Sequence, residues 1–341
     1  MHTTFNVSTV ILSVAVSFLG SYFAISLCEQ YRQSRIGIVE SRLWSDGTYC
    51  LIAMAICLGG VGIWCMHFIG MSAMTMSDNN EAIEIRYDIG LTILSLVIVL
   101  LFSGLGFYIS SHDEIFSKTR KEILQLFEKI PREAANKPVH MIKIISIHNP
   151  KYLIGGGFVA GSGAVLMHYI GMSAMVFKGR IELNWGIVAA SCVIAFVAAT
   201  AAFWILFRLL SLYPRYELLR WVCALIMALA VCGMHYVGMV ACSYDLDDNI
   251  NVDRERSICS DCALHVGVAA AAMVSFLAAA LALSELRYSV WRLSHELSRA
   301  DETVLVLPIN NPVDIAKNIR KYIAKRKASH FNLGMLKDEY G

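Results

Sequence analysis

The chain has 341 residues, of which 57% are apolar and only 16% are charged, whereas a soluble domain usually carries about 25% charged residues. Its mean hydropathy is +0.56. The net charge of +2 gives no indication of a nucleic-acid partner, and none is expected. This composition excludes an ordinary soluble domain and favours an integral membrane protein.

Seven charge-free runs are each long enough to cross a bilayer core of about 30 Å, which needs about 20 apolar residues per helix. A membrane-spanning strand would be about half as long and would alternate in polarity. We therefore predict an all-α integral membrane protein with seven transmembrane helices, contained in a membrane domain over residues 1–285. The predicted helices cover approximately residues 7–28, 48–76, 89–111, 152–177, 183–207, 221–244 and 263–284.

The distribution of Lys and Arg predicts the orientation. If the N-terminus lies outside, the inner segments 29–47, 112–151, 208–220 and 285–341 hold 3, 8, 3 and 10 of the 29 basic residues. Because cytoplasmic segments are enriched in Lys and Arg, the N-terminus is predicted outside and the C-terminus in the cytoplasm. The basic loop 112–151 and the short basic tail 286–341 are then cytoplasmic, and the cell membrane is the expected location of this multi-pass chain.

A nine-residue block occurs in the second, fourth and sixth predicted helices. It reads MHFIGMSAM from Met66, MHYIGMSAM from Met167 and MHYVGMVAC from Met234. If each block is helical, its His, the Met four residues later and its last residue share one face. A Gly three residues after each His leaves space beside the imidazole for another backbone or a ligand.

The three histidines also share one depth. His67 lies eleven residues before the next charged residue, and His168 and His235 each lie ten residues before theirs, which is about 15 Å if the helix continues. A single His in a membrane helix is often a packing residue. Three at one depth favour a functional site instead, because ionisable side chains inside a membrane are costly and usually mark one.

Imidazole together with thioether sulfur suits copper, particularly Cu(I). Zinc would use the imidazoles but gains little from Met. Haem accepts His or Met as axial ligands, although a bis-His haem leaves the third block unexplained. Three function hypotheses follow: a copper-dependent membrane sensor, a transporter or channel for copper or another small solute, and a haem-containing membrane redox protein.

The triple block M-H-[FY]-[IV]-G-M-x-A-[MC] resembles the MHYT domain of integral membrane signalling proteins, and the resemblance covers roughly residues 7–285. It implies a sensor of O2, CO or NO, or of redox state, that binds copper near the outer face through motif His and Met residues. Carried over by position, the implied metal ligands are His67, His168, His235, Met66, Met71, Met74, Met167, Met172, Met175, Met234 and Met239, with Cys242 as a further candidate. Phe68 stands where the family has Tyr, which argues against an essential tyrosine in that block.

Many bacterial relatives fuse this domain to enzymes of cyclic-di-nucleotide synthesis or degradation. The 57 residues from Glu285 onward contain no G-G-[DE]-E-F, no E-x-L and no kinase signature. We therefore expect no enzymatic activity and no catalytic residue, and we expect signalling through an unidentified cytoplasmic partner.

Two cysteines differ from the other eight, which lie within or at the ends of predicted helices. Cys259 and Cys262 form a C-S-D-C in the last outer loop. Outside the membrane a disulfide can persist, and C-x-x-C is also a metal or redox spacing. The pair is therefore predicted to be a disulfide or a redox pair.

Overall fold

A computed structural model of the chain describes residues 2–35, 48–78, 81–118, 122–123, 148–212, 217–247 and 254–305. Within these ranges seven helices are long and apolar enough to cross a membrane, which confirms the predicted fold class. They are α1 Val7–Arg35, α2 Thr48–Ser72, α3 Ile89–Ser110, α4 Lys151–Ser173, α5 Trp185–Leu209, α6 Glu217–Val240 and α7 Ser260–Leu305. Most of the predicted loop 112–151 and the tail beyond residue 305 lie outside the described residues, and the orientation in the membrane stays a prediction.

The first six helices form three equivalent antiparallel pairs, α1–α2, α3–α4 and α5–α6. In each pair the capping residue before the first helix donates its backbone N–H to the carbonyl of the Ala that follows the second. These bonds are Asn6 to Ala73 (2.8 Å), Asp88 to Ala174 (2.7 Å) and Asn184 to Ala241 (2.8 Å). The Asn and Asp side chains also accept N–H groups from the first turn of the helix they precede, which is a stabilising N-cap.

Short antiparallel strands follow α2, α4 and α6 at the end of the bundle where these helices finish, which we call the motif end. Within the described residues the strands form three small sheets, ordered β1-β2-β3, β5-β4-β8 and β6-β7. The strands are β1 His2–Phe5, β2 Met74–Asp78, β3 Glu81–Ile83, β4 Arg86–Asp88, β5 Met175–Val176, β6 Gly179–Leu183, β7 Cys242–Leu246 and β8 Ser257–Cys259.

The strands correct one prediction. The helices α2, α4 and α6 end four residues before their predicted limits, so the last residue of each block, Met74, Met175 or Cys242, belongs to a strand. The predicted helical face therefore ends after the second Met of each block. The estimate of about 15 Å between each His and the next charged residue is also wrong, because the helix does not continue that far. The physical reason is that the N–H of Ala73 and its equivalents bonds to carbonyls three and four residues back. Such shared bonds are common where a helix terminates.

The second helix is not α-helical throughout. Its segment Ile56–Cys65 is π-helical, and all of its residues except Ile56 are buried. Gly20 of α1 faces this segment so closely that a Cβ there would overlap the backbone of Gly62. The absence of a side chain at Gly20 therefore lets α1 pack directly on the π-helical turn. Single-turn π segments inside α-helices are often found near functional sites.

Candidate metal centre

The helices α2, α4 and α6 each bring one histidine to a common buried point. His67 and His168 are 0% exposed and His235 is 1% exposed. Their Nδ1 atoms form a triangle with sides of 3.0 Å (His67–His235), 3.3 Å (His168–His67) and 3.3 Å (His235–His168). The three rings stand nearly perpendicular to one another, at 80° to 89°. The structure thus brings together the imidazoles that the sequence placed in one layer, and their role as metal ligands stays a prediction.

A triangle of three neutral imidazole nitrogens cannot satisfy itself with hydrogen bonds. Each neutral ring has one N–H donor and one nitrogen acceptor, so each Nδ1 is either a donor or an acceptor. Of three such atoms at least two are alike, and at least one contact then sets two lone pairs or two N–H groups against each other. A single cation among the three atoms removes this conflict, because every Nδ1 then directs its lone pair at the cation.

The size of the triangle is close to that of a three-nitrogen metal site. Metal–nitrogen bonds of about 2.0 Å in a trigonal plane need nitrogen atoms about 3.5 Å apart. The observed separations of 3.0–3.3 Å are a few tenths of an ångström shorter. Among the described His, Cys, Asp and Glu side chains, this is the group with metal-ligand spacing. The donor set therefore fits a small cation that accepts imidazole.

The second nitrogen of each ring, Nε2, is buried and has no hydrogen-bond partner. Each Nε2 lies against the motif glycine of another helix, in cyclic order. His67 faces Gly171, His168 faces Gly238 and His235 faces Gly70, where an added Cβ would lie 2.5 Å from the nitrogen. Each glycine therefore makes space for the imidazole of a neighbouring helix, and a methyl group at any of the three would overlap a ring.

The sulfur-containing residues of the blocks are buried or half-buried. All eight block methionines are buried: Met66, Met71, Met74, Met167, Met172, Met175, Met234 and Met239. Cys242 is half-buried in β7, and its thiol donates to the carbonyl of Gly238 at 3.6 Å. Burial raises the pKa of the Cys242 thiol to about 11.

The aromatic residue after each His points to a neighbouring helix pair. The Tyr169 hydroxyl is 2.6 Å from Ser191 Oγ on α5, and the Tyr236 hydroxyl is 2.8 Å from Ser13 Oγ on α1. Phe68 has no hydroxyl and instead meets the ring of Tyr87 edge-on, with ring centroids 5.5 Å apart. The tyrosines of the motif therefore link helices, in agreement with the expectation that a tyrosine is not essential in the first block.

Tyr87 is a residue that the sequence reasoning missed. It lies in β4 between Met175 of β5 and Ile258 of β8 and is 0% exposed. Burial raises the pKa of its hydroxyl to about 12, so it stays neutral. Its alternation with two polar strand neighbours, Arg86 and Asp88, is the pattern of a half-buried strand, but three residues are too few to recognise in advance.

The cysteine pair forms a structural element at the same end of the bundle. Cys259 and Cys262 are joined in a disulfide at the start of α7, and the Cys262 N–H donates to Cys259 Sγ at 3.1 Å. Cys259 also pairs with Arg86 across β8 and β4. The disulfide therefore connects the first turn of α7 to β8, which pairs with the strand that carries Tyr87.

Comparison with known proteins identifies the repeat. The profile of the MHYT family, described as a bacterial signalling protein N terminal repeat, matches residues 60–120, 161–216 and 229–293, together more than half of the chain. The chain is 30% identical over 244 residues to the bifunctional diguanylate cyclase/cyclic di-GMP phosphodiesterase MucR of Pseudomonas aeruginosa, covering 72% of this chain and 29% of that protein.

Two further relatives are more distant. The signaling protein YkoW of Bacillus subtilis is 26% identical over 72% of this chain and 25% of its own length. The cyclic di-GMP phosphodiesterase NbdA of Pseudomonas aeruginosa is 27% identical over 70% and 24%. The chain thus spans less than a third of these relatives, and no solved structure matches it. With its triple motif and its seven apolar helices, the chain belongs to the MHYT family of multi-pass cell-membrane signalling proteins.

Proposed function

We propose that this chain is the sensing module of a membrane signalling system and binds one copper ion through the Nδ1 atoms of His67, His168 and His235. The observation that carries the proposal is the buried triangle of these atoms, with sides of 3.0–3.3 Å. Such a triangle contains a contact between like groups unless a cation occupies it. A cation bound to the three Nδ1 atoms removes this contact, so its binding is expected to stabilise the folded protein.

The surroundings favour a soft cation of low charge. Among the described His, Cys, Asp and Glu side chains, the group with metal-ligand spacing consists of three imidazoles and no carboxylate, and the block methionines that adjoin it in sequence are buried. Because the cost of burying an uncompensated ion rises steeply with its charge, Cu(I) is easier to accommodate than a divalent ion. Thioether sulfur also prefers Cu(I), so the block methionines and Cys242 are the proposed additional ligands.

Bound copper would supply a centre that changes redox state or takes a diatomic gas such as O2, CO or NO. The protein itself would do three things. The Gly70, Gly171 and Gly238 backbones hold the imidazoles in place. The burial of the three rings excludes water. The three helices that carry the ligands belong to three different pairs, so any change at the ligands acts on how the pairs pack against one another.

The relatives suggest how the signal is used. Two of the proteins described above are named as cyclic di-GMP enzymes, and the matched region covers 29% and 24% of their lengths. We propose that the matched region senses and that it is not itself an enzyme, the output being made by a cytoplasmic partner. This proposal predicts no cyclic di-GMP synthesis or degradation by the 341-residue chain when it is purified and assayed alone.

Copper content tests the proposed site. We expect about one copper per chain in protein purified in detergent and measured by elemental analysis, since the triangle holds one ion. The triple variant His67→Ala/His168→Ala/His235→Ala is expected to contain none, whereas the control His265→Ala, at an exposed histidine of α7, retains it. Unchanged copper in the triple variant would exclude the site.

The two other hypotheses differ in what they predict. A transporter would move copper into vesicles that contain the purified protein, which a sensor does not do. A haem protein would show a Soret band after purification. Copper uptake by the unmodified protein, or a Soret band that persists in the triple variant, would contradict the proposed function.

A further inference from the structure

An apolar cavity lies next to the histidine cluster, on the side away from the motif end. Its volume is about 50 Å³, and it is bounded by residues of α2, α3, α4, α5 and α6. Met234 in its wall immediately precedes His235, while Ile63 and Ala164 lie four residues before His67 and His168. Four residues are one helical turn, or about 6 Å. The cavity therefore begins within one turn of the three imidazoles.

The wall of the cavity is almost entirely hydrocarbon. Half of its lining residues are alanines of α4, α5 and α6, and the remaining side chains are Leu, Ile, Val, Phe and Met, with Ser103 as the one hydroxyl among the lining residues. Ser103 is 1% exposed, and its Oγ has no hydrogen-bond partner. A buried water needs two to four polar partners, so one hydroxyl is not enough to hold water. The cavity is a dry space with a single unused hydrogen-bonding group.

The cavity has an entrance from the lipid side. Ala199 and Ala202 of α5 and Val231 of α6 line it, and all three are only half-buried. The gap between α5 and α6 therefore reaches the surface of the bundle that the bilayer covers. A guest that enters by this route must be soluble in hydrocarbon and must be small.

We propose that this cavity binds a small, weakly polar gas molecule, which enters from the bilayer between α5 and α6 and is held one turn from the histidine cluster. The volume suits a molecule of two or three heavy atoms, and dry apolar cavities in proteins bind guests such as xenon. The Ser103 hydroxyl supplies one hydrogen bond to the polar end of a diatomic gas. The role of the cavity in gas sensing rests on the proposed function, but its occupancy does not depend on copper.

Xenon tests the site directly. Crystals of the protein pressurised with xenon are expected to show an anomalous peak bounded by Ser103, Ala199 and Met234. The variant Ala199→Leu fills this space and is expected to lose the peak. The control Ala201→Leu adds the same side chain to the exposed face of the same helix and is expected to keep it.

Three results would overturn the proposal: xenon bound elsewhere while the cavity stays empty, a peak that persists in Ala199→Leu, or continuous density for a lipid or detergent chain filling the cavity. The xenon peak in the unmodified protein already shows whether the cavity is occupied, so the test remains valid if Ala199→Leu does not fold. Ala195→Val, at another wall position of α5, is then the milder filling variant and is expected to weaken the peak.

A second measurement separates the cavity from the metal site. In copper-loaded protein, Ala199→Leu is expected to slow the association of CO several-fold, whereas Ala201→Leu leaves it unchanged. An unchanged rate of CO association in Ala199→Leu would show that CO does not reach the histidine cluster through the cavity. If the unmodified protein binds no copper, the proposed function fails while the xenon result still decides whether the cavity is a gas site.

Discussion

Two buried polar clusters among the described residues differ in how completely their groups are paired. Away from the motif end, Arg208 (0% exposed) donates to both carboxylate oxygens of Asp113 (1% exposed), at 3.2 and 2.7 Å, and to the Asn149 carbonyl at 3.1 Å. In the cluster of His67, His168 and His235, by contrast, every arrangement of protons on neutral rings leaves one contact between like Nδ1 groups, and the Nε2 atoms have no partner.

The difference separates a structural cluster from a binding site. A buried ion pair with two-pronged geometry satisfies its own charges, so it needs nothing else. The contact between like Nδ1 atoms in the histidine cluster is unfavourable, and a cation bound to all three atoms would remove it. The predictions that follow test this contrast, beginning with the largest expected effect.

Removing one partner of the ion pair is expected to be the most damaging change. Asp113→Ala leaves the Arg208 guanidinium buried and uncompensated, which costs about 3–5 kcal/mol of unfolding free energy. Chemical unfolding in detergent measures this. The double variant Asp113→Leu/Arg208→Met removes both charges and is expected to recover most of the loss. A double variant as unstable as Asp113→Ala would contradict the interpretation of the cluster as a self-contained ion pair.

Removing one histidine is expected to change the unfolding free energy little and to lower copper affinity strongly. In copper-free protein, His235→Leu keeps most of the volume and eliminates nitrogens without partners, so we expect a change in unfolding free energy within about 1.5 kcal/mol. Copper affinity is expected to fall by more than about 100-fold, because loss of outer-shell partners alone costs 10–100-fold. A loss of stability in copper-free His235→Leu equal to that of Asp113→Ala would show that the histidine cluster is structural.

Two glycines provide a matched pair of smaller changes. At Gly171 an added Cβ overlaps Nε2 of His67, whereas at Gly233 it meets nothing within 4 Å. Gly171→Ala is expected to lower copper affinity about 10–100-fold by displacing an imidazole. Gly233→Ala is expected to leave affinity unchanged and to stabilise α6 by about 0.5–1 kcal/mol. Equal copper affinities in the two variants would show that the cyclic Gly–His contacts do not contribute to copper binding.

The smallest expected effect concerns an exposed cluster at the motif end. A hydrogen bond from Arg86 lowers the pKa of the Glu84 carboxyl below its usual value of 4.5, with a further contribution from Arg254. Because the folded-state pKa is depressed, the stabilisation is present above pH 4.5 and is lost as the pH falls through the folded-state pKa. The protection of the β4 and β8 amides against hydrogen exchange, corrected for the intrinsic pH dependence of exchange, is expected to fall over that range. In Glu84→Gln this loss of protection should be absent, and a loss that persists in that variant would show that Glu84 does not cause it.

Much of the fold could be predicted from local patterns, because a membrane helix is a continuous apolar run. The three histidines could also be placed in one layer, since nearly equal offsets from the next charged residue are visible in the sequence. The prediction that the last residue of each block is helical is wrong for Met74, Met175 and Cys242. Their strands are short and lie directly beyond apolar helices, so no change of composition marks where each helix ends.

Other features depend on contacts between distant parts of the chain. No local sequence pattern indicates that the motif glycine Gly171 makes space for the imidazole of His67, since the two residues lie on different helices. The pairing of Arg208 with Asp113 is equally invisible, because both residues stand where a helix meets a connecting segment and are expected there to face water or lipid headgroups. Such contacts need the packing of the helix pairs to be known.

X-ray absorption at the copper edge tests the central claim most directly. The account predicts that purified protein contains copper whose first shell holds three nitrogen atoms at about 2.0 Å, and that this number falls in His168→Ala. Sulfur in the shell would add block methionines or Cys242 to the ligands. A copper shell without imidazole nitrogen, or one that His168→Ala leaves unchanged, would contradict the three-histidine site.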